Sequence, residues 1–169
     1  MSLDLQLSGK TAIVTGGSAG IGLATAKALY TEGVNVVIAA RNQEKLEKAV
    51  ADIQSLPTPG AKVISVSADL TQAESIDRVV STTLAQFGQI DILINNAGSA
   101  RAGSFLELGD DAFLDAWNLK LLGYIRLVRA LLTAVGTPEV IKSACGEIVS
   151  PEVIQAEFVE AGITRLSVG

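Results

Sequence analysis

The chain has 169 residues, of which 49% are hydrophobic and 18% are charged, so we expect one sizeable core and a single domain over residues 1–169. A net charge of -5 leaves no basic surface for a phosphate backbone, which argues against a nucleic-acid partner and favours a small-molecule ligand. One cysteine and no histidine exclude an internal disulfide, the usual zinc ligand sets and any Ser–His or Cys–His catalytic pair.

The sequence contains no apolar run long enough to cross a membrane, which takes about eighteen residues. Residues 1–10 lack the basic start and the following apolar run of a secretory signal. We therefore expect a cytoplasmic protein without a membrane partner.

From residue 11 onward, short runs rich in β-branched residues alternate with longer segments of helical spacing. This pattern predicts strands at 11–14, 35–39, 62–67 and 90–94, helices near 21–31, 43–54 and 73–87, one long helix at 110–132, a shorter helix from 138 to 148, and a last strand at 162–168. Because the first four strands are almost entirely apolar, they should be buried on both faces. The expected fold class is α/β, a doubly wound parallel sheet with helices on both faces.

The first predicted strand runs into the glycine-rich segment TGGSAGIG, residues 15–22, where a helix begins. Glycine permits a tight turn and a close approach of the backbone to a pyrophosphate, and the helix N-terminus offers N–H groups to an anion. The strand-loop-helix context favours a dinucleotide site over a glycine-rich turn without a ligand. The residues expected to contact the cofactor here are Gly16, Ser18, Ala19, Gly20, Ile21 and Gly22.

This segment resembles the motif Thr-Gly-x-x-x-Gly-x-Gly of the short-chain dehydrogenases/reductases, and residues 95–98, NNAG, resemble the Asn-Asn-Ala-Gly motif of that family. Asp69 and Leu70 resemble the family's residues beside the adenine ring. Taken alone, the two asparagines could form a turn, and Asp69 could cap the next helix. The resemblance covers residues 7 to 132 and adds Asp69, Leu70, Asn96, Ala97 and Gly98 to the expected cofactor-binding residues.

The resemblance implies a Rossmann-type fold and an NAD(P)-dependent enzyme that interconverts an alcohol and a carbonyl compound by hydride transfer. The second strand ends in IAARN, residues 38–42, without a carboxylate for the 2′-hydroxyl of NAD. Arg41, followed by Asn42, offers planar charged donors suited to the 2′-phosphate, so NADP is the expected cofactor. Arg41 could instead be a solvated charge, and Ala19 weakens the case because many NADP-preferring relatives carry a basic residue in that loop.

The catalytic residues of the family have no match in this chain. The family uses a tyrosine with a lysine four residues later, but Tyr30 and Tyr124 are each followed at that spacing by valine. Both tyrosines are more simply core or interface residues. The register of the long helix assigns Lys120 to the position of the family asparagine, where it could contact substrate or a proton relay, or be structural or solvated.

The resemblance also indicates a gap in the chain. Residues 1–135 match the family's nucleotide-binding part, whereas residues 136–169, which begin GTPE, resemble a segment near the family C-terminus. Relatives place on the order of eighty residues between these landmarks in a domain of ordinary size, including the catalytic serine, tyrosine and lysine. Without that stretch a parallel sheet keeps an apolar, unpaired edge. We therefore expect a missing stretch between Val135 and Gly136.

Three functions stay open from the sequence. The first is the oxidoreductase, acting on a small carbonyl or alcohol of unknown identity. The second is a truncated or regulatory protein that binds a nucleotide without turnover, and the third is an interaction module whose sheet edge recruits a partner strand. We also expect a homo-oligomer, a dimer or a tetramer, formed through the long helix, although Phe105, Phe113 and Trp117 could instead belong to the core.

Overall fold

The computed structural model describes residues 5–99 and 101–135 and contains one parallel sheet of four strands. The strands are β1 (Thr11–Thr15), β2 (Asn35–Ala40), β3 (Val63–Ser67) and β4 (Ile92–Ile94), in the order β3-β2-β1-β4. Central pairing aligns Ile13 with Val37 on one side and with Leu93 on the other. The predicted helix from 138 and the predicted strand at 162–168 lie outside the described residues.

The helices follow the strands as the alternating pattern predicts. They are α1 (Gly20–Thr31), α2 (Gln43–Gln54), α3 (Ala73–Phe87), α4 (Asp110–Trp117) and α5 (Gly123–Val135). The predicted bounds of strands and helices hold to within one residue, except that β4 begins at Ile92 and the last helix continues to Val135. Just before β4, the Asp91 N–H donates to the Thr11 carbonyl at 2.9 Å, and the Asp91 carboxylate accepts the Thr11 N–H at 2.8 Å.

Residues of the central strand β1 alternate between two apolar cores, one on each face of the sheet. Ile13 packs with α3 and α5, whereas Ala12 and Val14 pack with α1 and α2. This alternation is the period of two that a strand imposes on its side chains. The doubly wound α/β arrangement with helices on both faces is confirmed, and Tyr30 belongs to the core on the α1 side.

The prediction of one uninterrupted helix over 110–132 is wrong in one respect, because a π-helical turn over Asn118–Leu122 separates α4 from α5. The Arg126 guanidinium donates to the Asn118 side-chain oxygen at 2.8 Å and to the Thr71 carbonyl at 3.4 Å. A Cβ at Gly123 would lie 3.2 Å from the Leu70 carbonyl oxygen. These contacts hold the widened turn against the loop that follows β3.

One surface of α4 and α5 is apolar and uncovered by the described residues. Leu114, Trp117, Leu121 and Ile125 are exposed, and they recur at helical spacing on one side of the helix path. The alternative that Phe105 and Trp117 are core residues is not borne out, because their exposed fractions are 79% and 57%. Strand β4, at the edge of the sheet, is only half-buried.

A helix that could span a lipid bilayer is absent from the described parts of the chain, 5–99 and 101–135.

The two isoleucines Ile13 and Ile21 test the position of the core. Ile13 is fully buried in the middle of β1, whereas Ile21 is 79% exposed. We expect Ile13→Ala to lower the free energy of unfolding by about 2–5 kcal/mol, because it removes buried methylenes and leaves a cavity. The matched change Ile21→Ala should stay within about 0.5 kcal/mol of the unchanged protein in urea unfolding. Equal losses would contradict the assigned core.

Candidate functional site

A cavity of about 250 Å³ lies at the carboxyl ends of the four strands. The ends of parallel strands, where the strand order reverses on either side of β1, are the usual ligand position in an open α/β sheet. The cavity lining comprises Gly16, Ser18, Ala39, Ala40, Arg41, Asn42, Lys45, Ala68, Leu70, Ala97, Gly98, Ser99 and Leu119. The structure therefore brings the glycine loop, the end of β2 and the end of β4 together around one space.

A larger depression of about 470 Å³ lies between α3 and α5, on the outside of the helix layer. Its lining is mostly apolar, with Ile76, Val80 and Leu84 on one side and Ala130 on the other. It contacts none of the residues that the glycine and asparagine motifs single out. The smaller cavity at the strand ends is therefore the candidate site.

The glycine loop needs its glycines because two chain segments meet there. Gly16 has a φ of 66°, and a Cβ on it would lie 2.8 Å from the Asn96 side-chain nitrogen. A Cβ on Gly22 would overlap the Gly16 carbonyl oxygen, so the first turn of α1 packs directly on the loop. Backbone replaces side chains at this point, which leaves room for a ligand of phosphate size above it.

Helix α1 begins at Gly20, and its N-terminal N–H groups are not capped by a side chain. The preceding residue is Ala19, and the first turn carries no acidic residue. A Cβ on Gly20 would meet no atom within 4 Å, so the approach to this helix end is open. Uncapped N–H groups and the positive end of the helix dipole fit an anion, and this arrangement suits the phosphates of a dinucleotide.

The buried hydroxyl of Thr15 joins the end of β1 to the end of β4. It accepts the N–H groups of Asn96 and Ala97 at 2.9 and 3.0 Å and donates to the Ile94 carbonyl at 3.2 Å. The Asn96 side chain donates to the Thr15 carbonyl at 3.0 Å and to the Gly16 carbonyl at 3.4 Å. Asn96, expected from the sequence to contact the cofactor, thus supports the glycine loop, while Ala97 and Gly98 line the cavity.

The end of the cavity beside β2 carries positive charge. Arg41 and Lys45 both line it, and Asn42 between them accepts the Lys45 N–H at 2.8 Å as the N-cap of α2. Sequence reasoning identified Arg41 and Asn42 but missed Lys45. The signal that could have found Lys45 is its position four residues after Arg41, in the first turn of α2. A residue in the first turn of a helix stays close to the end of the strand that precedes the helix.

Asp69 organises the loop between β3 and α3. Its carboxylate accepts the Thr71 N–H at 3.0 Å and the Thr71 hydroxyl at 2.8 Å. The backbone hydrogen bond from Thr71, followed by the side-chain bond and the charge of Arg41, lowers the pKa of Asp69. Asp69 is not part of the cavity lining, whereas its neighbour Leu70 is. Asp69 therefore forms the turn that precedes α3 and does not cap that helix, whose N-cap is Gln72.

The end of the cavity beside β4 contains Gly98, Ser99 and Leu119. The side chain of Lys120 lies against Gly98, where a Cβ would be 3.0 Å from the lysine Cγ and would overlap its Cε. Tyr124, one turn further along, has a pKa raised by burial, the opposite of what a tyrosine proton donor requires. Tyr30 is buried in the core, so neither described tyrosine is placed for catalysis.

The parallel sheet, the glycine loop and the helix N-terminus together define a Rossmann-type domain. A family model described as short chain dehydrogenase matches residues 10–159. A short chain dehydrogenase of Pseudocercospora fijiensis is 37% identical over 153 residues, which cover 90% of this chain and 48% of that protein. The chain belongs to the short-chain dehydrogenase family.

Solved structures of the family share the fold. The L-sorbose reductase of Gluconobacter frateurii, complexed with NADPH and L-sorbose, is 35% identical with a TM-score of 0.71, over 78% of this chain and 49% of that one. An NAD⁺-bound xylitol dehydrogenase is 32% identical with a TM-score of 0.70, over 76% and 48% of the two chains. The chain thus spans about half the length of the relatives it matches.

The buried Thr15 hydroxyl should contribute much more to the free energy of unfolding than an exposed threonine hydroxyl does. We expect Thr15→Val to lower the free energy of unfolding by about 2–4 kcal/mol, because the buried N–H groups of Asn96 and Ala97 lose their acceptor. The matched change Thr133→Val, at an exposed helical hydroxyl that donates to the Arg129 carbonyl, should shift it by about 0.5 kcal/mol or less. Urea unfolding of both variants measures the two changes in the free energy of unfolding. A change of about 0.5 kcal/mol or less for Thr15→Val would contradict the proposed importance of its hydrogen bonds to Asn96 and Ala97.

Proposed function

We propose that the protein is an oxidoreductase of the short-chain dehydrogenase type that uses NADP to interconvert an alcohol and a carbonyl compound. The observation that carries the proposal is the cavity at the strand ends, where the glycine loop and the uncapped N-terminus of α1 meet. The relatives support a nicotinamide cofactor, because one structure holds NADPH with L-sorbose and another holds NAD⁺. The bound nicotinamide would accept or deliver the hydride.

The contribution of this chain is to bind and orient the dinucleotide. The expected ligands at the phosphates are Gly16, Ser18, Ala19, Gly20, Ile21 and Gly22, with the N–H groups of the last three directed by α1. Leu70, Ala97 and Gly98 would contact the adenosine and ribose from the sides of the cavity. Asp69 and Asn96 would act through the loops they hold, by the hydrogen bonds described above.

The preference for NADP over NAD rests on charge at the end of β2. Arg41 and Lys45 are the charged residues among the described lining, which includes no carboxylate to accept the ribose 2′-hydroxyl of NAD. Asp69 is engaged by Thr71, whose hydrogen bonds lower the pKa of Asp69 together with the charge of Arg41, and it does not line the cavity. A 2′-phosphate would meet two cations here, and the planar guanidinium of Arg41 suits it best.

Nucleotide titration of an Arg41 variant tests this preference. We expect Arg41→Met to raise the dissociation constant of NADPH about tenfold, since a charge-assisted contact is lost, and to leave that of NADH within a factor of about two. Arg129→Met is the matched control, because Arg129 is exposed on α5 and does not line the cavity. Equal weakening of both nucleotides by Arg41→Met would refute the assigned selectivity.

The proton donor that hydride transfer to a carbonyl needs is the missing part of the proposed site. We propose that the natural protein carries a further stretch between Val135 and Gly136 that supplies it. The chain's half-length match supports this, as do the half-buried strand β4 and the Asn95 side-chain oxygen, which is buried without a partner among the described residues. The second candidate, binding without turnover, is favoured by the burial of Tyr30 in the core and by valine, not lysine, four residues after Tyr124.

Sequencing the coding region across residues 135 and 136 separates the two candidates. We expect on the order of eighty extra codons, as a family-sized domain requires, with a Tyr-x-x-x-Lys motif among them. The longer protein should oxidise NADPH in the presence of a carbonyl compound such as a ketose. Contiguous codons, together with tight NADPH binding and no turnover, would instead establish the binding-only candidate.

The expected homo-oligomer also remains a proposal. The exposed apolar surface of α4 and α5, formed by Leu114, Trp117, Leu121 and Ile125, supports a dimer or tetramer built on these helices. The same surface would be partly covered by the additional stretch proposed above. The cytoplasmic location stays a prediction from the sequence, in keeping with its single cysteine.

A further inference from the structure

The lysine Lys120 projects from a distorted turn onto the candidate site. It lies within the π-helical turn Asn118–Leu122, and its aliphatic stem covers Gly98 at the end of β4. Its neighbour Leu119 lines the cavity. Lys120 is exposed and does not itself line the cavity, but its Cε lies against Gly98, which does, so the ammonium group one bond further on lies close to the lining.

The turn that carries Lys120 is fixed from behind. Arg126 bonds the Asn118 side-chain oxygen and the Thr71 carbonyl, and Gly123 packs against the Leu70 carbonyl. A π-helical turn is less favourable than an α-helical one and recurs at functional sites, where it redirects a side chain. Here the turn places the aliphatic stem of Lys120 against Gly98, at the end of β4.

The order of the strands indicates which part of a bound dinucleotide would lie close to Lys120. The glycine loop follows β1, which lies between β2 and β4 in the sheet. With the 2′-phosphate of the adenosine at Arg41 after β2 and the pyrophosphate at the glycine loop, the rest of a linear dinucleotide must extend over the end of β4. That end is where Gly98 and Lys120 lie.

We propose that Lys120 is a cofactor-binding residue that donates to the oxygen atoms of the nicotinamide half of the dinucleotide, namely its phosphate and ribose oxygens. The assignment rests on the proposed function and adds a third cation to the site, opposite Arg41 and Lys45. No carboxylate of the described residues forms an ion pair with Lys120, so no acidic side chain in that part of the chain neutralises its charge. An ammonium group with three donors suits such a cluster of oxygens.

Two nucleotides, titrated by calorimetry into the purified full chain, isolate this contact. NADPH carries the nicotinamide half, whereas adenosine 2′,5′-bisphosphate carries only the adenosine, its 2′-phosphate and one 5′-phosphate. We expect Lys120→Met to weaken NADPH binding about five- to tenfold, as for the loss of one partly exposed charged donor, and to leave the bisphosphate within about twofold. Lys120→Arg should recover most of the loss.

The control is Lys48→Met, because Lys48 is exposed on α2, a helix that packs on β2 and β3 and not at the end of β4 where Lys120 meets Gly98, so both affinities should stay unchanged. Unchanged NADPH binding by Lys120→Met would overturn the proposal. Equal weakening of both nucleotides would also overturn it, by revealing a structural role of the lysine at Gly98. If the unaltered protein binds neither nucleotide, both the proposed function and this inference are refuted. If it binds both nucleotides and Lys120→Met leaves the NADPH affinity unchanged, only the inference is refuted.

Discussion

The close approach of the β1 and β4 ends is the constraint on which the candidate site depends. The Thr15 hydroxyl and the Asn96 side chain bridge the two loops, and Gly16 lets their backbones approach without a Cβ between them. Strand pairing alone aligns the strands but does not determine how the loops beyond them turn. These hydrogen bonds do, so the shape of the cavity follows from Thr15 and Asn96, which contact each other and do not line the cavity themselves.

The site concentrates positive potential in a protein of negative net charge. The chain carries a net charge of -5, yet its described cavity lining combines Arg41 and Lys45 with the free N-terminus of α1 and no carboxylate. Acidic residues such as Asp111 and Asp115 are engaged elsewhere, where both pair with Arg101. Local arrangement, not overall composition, therefore produces a region of positive potential on an acidic protein, where an anion would be attracted.

Under the proposed function, cofactor binding and proton transfer are separable tasks. The glycine loop, the end of β2 and the end of β4 form the cavity, and neither of the two tyrosines lines it. Hydride chemistry belongs to the cofactor, and the protein adds position and proton transfer. The exposed apolar surface of α4 and α5 and the half-buried strand β4 indicate where further structure would complete the catalytic part.

The sequence by itself determined the alternation of strands and helices, the doubly wound α/β class and the glycine loop, because apolar period and glycine spacing are local properties. It also predicted Arg41 as the residue for a 2′-phosphate, because the end of the second strand has no carboxylate, and the structure places Arg41 in the cavity lining. Tertiary structure decided that Asn96 supports the loop, that Lys45 lines the cavity, and that Lys120 reaches Gly98. These depend on contacts between residues far apart in the chain, such as Arg126 with Thr71, which shift a helical turn without any trace in the local periodicity.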